Sequence, residues 1–175
     1  DVVTFTGSAD TAAKLRVNAN VVCNSIPFNA EADSLNCAIL ANDVTPDDEE
    51  FDLFVKEVVR EMTTKAGQKC TAIRRAIVPS HMMDATSEAL IKRLSGTVIG
   101  DPLMDGVRMG SLVGKSQRED VYAALETLKQ GSEVLLDGMN NFKSIGVDES
   151  KGAFMAPTLL SCRNPLTNLT SHEVE

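Results

Sequence analysis

The sequence predicts an α/β fold with an open, largely parallel sheet, and three observations lead there. Short β-branched runs alternate with helix-period stretches along the whole chain. The helical stretches are amphipathic, as helices laid against a sheet must be. And 175 residues, 43% hydrophobic and 24% charged, suffice for one domain with a sizeable core.

Residues 2–5 read as a short strand closed by Thr6-Gly7-Ser8, and a helix is expected over 9–17. Val21, Val22, Ile26 and Phe28 suggest another extended segment, and residues 37–40 a further short apolar strand. The clearest helix is expected over 46–65. Thr45 suits its N-cap and Pro46 its first position, while Asp47, Asp48, Glu49 and Glu50 complement the positive end of the dipole. Phe51, Phe54, Val55, Val58, Val59 and Met62 then recur at three- and four-residue steps as one apolar stripe. Gly67 suits a left-handed cap, which leaves Cys70 in a short loop before a strand over 72–78.

After Pro79 a helix is expected over 80–94 and a strand over 97–99. A loop rich in Gly and Met leads to a helix over 116–130 and a strand over 133–136. Residues 137–152 read as a loop or hairpin, and 158–161 as a last strand. There is no internal repeat.

Composition removes several classes of function. The formal charge of −8, from 17 basic and 25 acidic residues, opposes nucleic acid and anionic lipid. Trp is absent and Tyr122 is the only Tyr, which disfavours a base-stacking surface. No apolar run approaches the roughly 20 residues of a bilayer span. The chain lacks an initiator Met and a signal peptide, and stops in Glu173-Val174-Glu175. It is therefore expected to be a piece of a longer, cytoplasmic polypeptide. Cys23, Cys37, Cys70 and Cys162 contain no Cys-x-x-Cys pair, and only His81 and His172 accompany them, so no metal site is expected. Taken singly, Cys23, Cys37 and Cys162 read as small buried thiols.

Three places could carry chemistry, each with a plainer reading beside it. Gly7-Ser8, between a strand and a helix, could hold a phosphate on free backbone N–H groups, or be an ordinary turn. Cys70 lies near Lys65 and Lys69, which would favour its reactive thiolate, but a lone loop cysteine is commonly structural. Glu31, between two extended segments, could be a general base if partly buried, or a solvated acid.

Their order along the chain is more informative than any one of them. Phe5-Thr6-Gly7-Ser8, then a Glu, then Gly67-Gln68-Lys69-Cys70-Thr71, then Gly152-Ala153-Phe154-Met155-Ala156-Pro157-Thr158 resembles the aldehyde dehydrogenase superfamily. Gly100-Asp101-Pro102 and Gln117 also fit its pattern. The middle motif departs from it: Ala32-Asp33-Ser34-Leu35 follows Glu31, where the family has Leu-Gly-Gly-Lys. Residues 31–37 and the flanks of Cys70 narrow the resemblance further. They are similar to the phenylacetate-degradation branch, in which the dehydrogenase is fused to an enoyl-CoA-hydratase-like domain.

The resemblance implies oxidation of an aldehyde through a thiohemiacetal and a thioester on Cys70, with water activated by Glu31. It implies Gly7, Ser8 and Glu175 as contacts of the dinucleotide, expected to be NADP, with NAD as the alternative. It further implies a CoA-linked semialdehyde substrate, a homo-oligomer for the full-length protein, and an inactive isolated fragment. Residues 1–30 would close a dinucleotide-binding domain, and 31–175 would form an incomplete catalytic domain. A CoA-acylating dehydrogenase, a noncatalytic paralogue and an unrelated thiol-dependent binding domain are the rival readings.

Overall fold

The structure is a computed structural model and describes residues 1–140 and 142–164. The chain divides into two compact units, one of residues 1–35 and one beginning at residue 36. Glu175 lies outside the described residues.

The first unit is a β-α-α-β arrangement. Strand β1 (Val3–Gly7) leads to α1 (Ala9–Arg16) and α2 (Ala19–Cys23), and β2 (Phe28–Ala32) returns parallel to β1. The register runs from Val3 opposite Phe28 to Gly7 opposite Ala32. Ser8 caps α1 by accepting the Thr11 N–H on its hydroxyl at 3.3 Å. Asp10 in the first turn and Lys14 and Arg16 in the last complement the helix dipole. The Arg16 guanidinium lies 5.3 Å from the centroid of the Phe28 ring.

Helix α2 replaces the extended segment expected around Val21 and Val22. The Asn18 side chain accepts the Asn20 N–H at 3.0 Å and starts a helical turn there. β-branched residues cost a helix only a few tenths of a kcal/mol each, too little to oppose that cap.

In the second unit, β3 (Asn36–Ile39) and β4 (Ile73–Ile77) pair in parallel, and α3 (Glu49–Thr63) lies between them in sequence. The apolar stripe of α3 forms the main core. Phe51, Val55 and Val58 pack with Leu40, with Met82 of a short 3-10 turn, and with Leu90 and Leu94 of α4 (Met83–Leu94). Burial of each such side chain is worth about 1.5–3 kcal/mol, so α3 is firmly anchored along its length.

The start of α3 differs from expectation. Asp48, not Thr45, is the N-cap, and its carboxylate accepts the Thr45 N–H at 2.6 Å and the Thr45 hydroxyl at 2.9 Å. A turn that ties residues 45 and 48 together delays the helix to Glu49. These hydrogen bonds, the backbone one foremost, hold the Asp48 carboxyl below the usual carboxylate range. A depressed folded-state value stabilises the fold above the unfolded pKa, and that stability is lost as pH falls through the folded one. Asp48→Asn should therefore melt at a lower temperature than the parent at pH 7, and the gap should close as the solution is acidified. Thermal unfolding of the intact protein across that range checks this.

The remaining strands are short. Strand β5 (Ile99–Gly100) pairs in parallel with β7 (Ser144–Ile145). Gly100 is required there: its φ is 156°, and a Cβ would stand 2.1 Å from the Ile145 carbonyl oxygen. Helix α5 (Lys115–Lys129) precedes β6 (Glu133–Leu136), which pairs antiparallel with β8 (Leu159–Ser161). Three of four pairings are parallel, as expected. Among the described residues, however, the strands form four two-stranded ladders and not one continuous sheet. The polar 137–152 segment supplies β7 to β5 and, among its described residues, makes no hairpin with itself.

Two smaller clusters complete this unit. One gathers Leu112, Leu125, Ala153 and Met155, the other Ile99, Met109 and Phe154. Ala66 packs against both. Among the described residues no helix is long and apolar enough to cross a membrane, and no group of three or more His, Cys, Asp or Glu could hold a metal ion.

Candidate active site

In the first unit, the parallel pairing brings Gly7 and Ser8 to the same end as Glu31. Thr6 lies opposite Glu31 and Gly7 opposite Ala32. Gly7, Ser8 and Glu31 are all exposed. The Glu31 side chain thus sits on strand β2 and not in a loop, without the partial burial expected of a base. Asp33, at a left-handed φ of 55°, donates its N–H to the Gly7 carbonyl at 3.1 Å. Its carboxylate accepts the Ala9 N–H at 2.9 Å. The first donor of α1 therefore already holds an anionic oxygen, supplied by the chain itself.

In the second unit, everything about Cys70 follows from how α3 ends. The helix passes into a 3-10 turn, Thr64–Gly67, in which Lys65 (φ 52°, ψ 30°) and Ala66 (φ 54°, ψ 38°) are left-handed. Gly67 follows at φ 73°. Two consecutive side-chain-bearing residues in this region cost about 1–3 kcal/mol each, and persist only where surrounding contacts fix them. Ala66 packed against two core clusters is one such contact.

Side chains supply the others. Gln68 accepts the Val113 N–H at 2.9 Å and donates to the carbonyls of Lys65 at 2.9 Å and Ser111 at 3.4 Å. Asn36, at the start of β3, donates through Nδ2 to the Cys70 carbonyl and, at 3.3 Å, to that of Ala72. Arg108 donates to the hydroxyls of Thr63 at 3.1 Å and Thr64 at 3.3 Å. The loop is thus held from β3, from the end of α3 and from the 108–113 segment. The Cys70 N–H makes no hydrogen bond among the described residues, and Cys70 is exposed. A cavity of about 500 Å³ opens beside the loop, lined among others by Lys65, Gln68, Arg108 and Phe154.

Two expectations about the thiols need correction. Lys69 does not present a free charge to Cys70. Its Nζ lies 2.8 Å from Oε1 and 2.7 Å from Oε2 of Glu61, a carboxylate buried on α3. Nor are the other cysteines buried: Cys23 and Cys37 are exposed and Cys162 is partly exposed. Cys23 ends α2 and Cys37 lies on the two-stranded β3–β4 ladder, so neither occupies a core.

Sequence reasoning missed Asn36, Glu61 and the commitment of Asp33. Only Glu61 left a trace: it stands three residues after the core residue Val58, on the apolar face where a charge must find a partner.

The second unit is thus a mixed α/β scaffold that carries an exposed cysteine on a loop clamped from three sides. The chain belongs to the aldehyde dehydrogenase family, whose model matches residues 1–174. It is 48% identical over 175 residues to the 3,4-dehydroadipyl-CoA semialdehyde dehydrogenase of Aromatoleum evansii, covering 100% of this chain and 34% of that protein. It is 30% identical over 170 residues to the betaine aldehyde dehydrogenase of Vibrio vulnificus, covering 97% and 33%. Among solved structures, the betaine aldehyde dehydrogenase of Staphylococcus aureus in complex with NAD+ superposes with a TM-score of 0.79. That match is 25% identical and covers 91% of this chain and 30% of the other. The chain spans about a third of the length of these relatives.

Proposed function

We propose that the intact protein oxidises a CoA-linked semialdehyde to its acid with a nicotinamide dinucleotide, through a covalent intermediate on Cys70. The observation that carries this reading is the Cys70 loop itself. An exposed thiol, with a backbone N–H that makes no hydrogen bond among the described residues, follows a left-handed turn that several side chains fix.

In this mechanism the Cys70 thiolate attacks the aldehyde carbon, and the carbonyl oxygen becomes the oxyanion of a thiohemiacetal. The Cys70 N–H donates to that oxygen, which is most effective where the donor is fixed beforehand. The dinucleotide, which Gly7, Ser8 and Glu175 would hold, would supply the hydride acceptor that turns the thiohemiacetal on Cys70 into a thioester. Glu31 takes a proton from water as the water attacks the thioester, and collapse of the adduct releases the acid and restores the Cys70 thiolate.

The α1 turn fits the phosphate of such a cofactor. Gly7, Ser8 and Ala9 are exposed at this strand-to-helix turn, and a phosphate taking the Ala9 N–H would displace the Asp33 carboxylate that holds it in this structure. NADP is the expected form and NAD the alternative, and Glu175 is assigned to the same cofactor. Residues 1–30 are assigned to the dinucleotide-binding domain and 31–175 to the catalytic domain. The name of the Aromatoleum evansii relative, a CoA semialdehyde dehydrogenase, supports the CoA-linked substrate. A fused hydratase-like domain, a homo-oligomer and a cytoplasmic location complete the proposal.

Brief exposure of the intact protein to iodoacetamide, followed by peptide mapping, tests the assignment of the nucleophile. Cys70 should be alkylated first and should be protected by an aldehyde substrate. Since Cys23 and Cys37 are exposed as well, exposure alone would not single out Cys70. Faster labelling at Cys23, Cys37 or Cys162 would count against the mechanism.

A further inference from the structure

The ion pair beside Cys70 has a position that packing alone does not explain. Glu61 is buried to 7% exposure near the end of α3; the Lys69 ammonium donates to its Oε1 at 2.8 Å and lies 2.7 Å from Oε2, which has no hydrogen-bond partner among the described residues. Lys69 immediately precedes Cys70, and the two partners stand on either side of the left-handed Lys65-Ala66-Gly67 turn. The pair therefore closes that turn across its base, between the helix the core anchors and the residue that carries the thiol loop.

Its electrostatic effect is equally specific. A lone ammonium next to a thiol favours the thiolate. Here the carboxylate sits at contact distance on the ammonium of the residue before Cys70, so the pair carries little net charge. Other charges leave this balance in place. On α3, Arg60 lies 3.5 Å from Glu61 but makes its closer contact, 2.5 Å, with Glu57. From α4, Arg93 pairs with Asp52, nine residues and roughly 13 Å along α3. Arg74 and Arg75 belong to β4 and have other interactions. Arg108 is directed to the Thr63 and Thr64 hydroxyls, and Lys65 lines the adjoining cavity.

We infer that Glu61 is a positioning residue for Cys70: through Lys69 it locks the turn that presents the thiol, and it cancels the charge that Lys69 would otherwise exert there. The inference rests on the reading of Cys70 as the nucleophile. Removing the carboxylate then has two separable consequences. The loop loosens, which slows the covalent step, and the uncovered ammonium makes the thiol more acidic. Loss of structure alone would produce the first and not the second.

The test uses the intact protein, with the pH profile of Cys70 alkylation by iodoacetamide and the single-turnover rate as readouts. In Glu61→Gln the midpoint of the alkylation profile should fall by roughly 0.5–1 pH while single turnover slows about 10- to 100-fold, the scale on which small misplacements act. Replacing both charges by apolar groups, Glu61→Met with Lys69→Met, retains a packed interior, since buried pairs are commonly exchanged this way without loss of stability. That double variant should keep the parent midpoint, because no charge is uncovered, yet remain slow in single turnover. An unmoved midpoint in Glu61→Gln, or a parental rate in the double variant, overturns the inference. If the parent protein itself shows no preferential alkylation of Cys70, the nucleophile assignment falls first and the role of Glu61 with it.

Discussion

Cys70→Ala is expected to abolish turnover of the intact protein while leaving its fold and cofactor affinity in place. The fold should survive because the surroundings hold the Cys70 backbone and not its sulfur. Asn36 bonds the Cys70 carbonyl, Gln68 ties the loop to residues 111–113, and the side chain itself is exposed. An exposed substitution of this kind moves stability by about 0.5 kcal/mol or less. Chemistry has no such reserve, since every bond change in the proposed reaction occurs on the sulfur-bound carbon. Removing a nucleophile that acts as a unit with its base and donors costs on the order of 10⁴- to 10⁶-fold. Steady-state turnover and cofactor titration of the same preparation check both halves. Retained turnover would place the nucleophile elsewhere.

Glu31→Gln should stall the reaction later, after hydride transfer. The amide keeps the shape of the carboxylate but cannot accept a proton from water, and loss of a general base costs about 10²–10⁴-fold. Thioester formation needs the Cys70 thiolate and the cofactor but no base at the water. A burst of reduced cofactor near one equivalent per site should therefore survive while steady turnover is lost. Stopped-flow absorbance of the reduced nicotinamide measures both phases. Absence of the burst would move Glu31 to an earlier step, such as deprotonation of the thiol. Asp33 is a poor substitute for this role, because its carboxylate is already engaged by the Ala9 N–H.

Sequence and structure agree where a local period met a burial requirement. The Phe51, Val55 and Val58 stripe fixed α3 because a helix with one apolar face has one way to bury it. Gly7-Ser8 was legible as a strand-to-helix turn for a similar reason, since Ser is a strong N-cap and Gly a poor strand or helix interior. Disagreement came where a side chain formed a short-range bond that outweighed propensity. Asn18 turned a β-branched segment into α2, and Asp48 took the cap from Thr45.

The loop position of Cys70 was legible in the sequence, and the charges and hydrogen bonds around it were not. Cys70 lies in a loop after a long helix, as expected, but the partner of Lys69 is eight residues away across a turn that uses left-handed Lys and Ala. No periodic pattern encodes such a turn, because neither residue favours it. The exposure of Glu31 was hidden for a different reason: alternation along β2 does not say which face another element covers.

The central claim, a covalent intermediate on Cys70, is tested most directly by trapping it. Glu31→Gln in the intact protein, mixed with a CoA-linked aldehyde and NADP and quenched in acid, should carry the acyl mass on the peptide that contains Cys70. Hydroxylamine should release that mass, as it does for thioesters. An unmodified Cys70 peptide after a full burst, or the acyl group on Cys23, Cys37 or Cys162, would contradict the account.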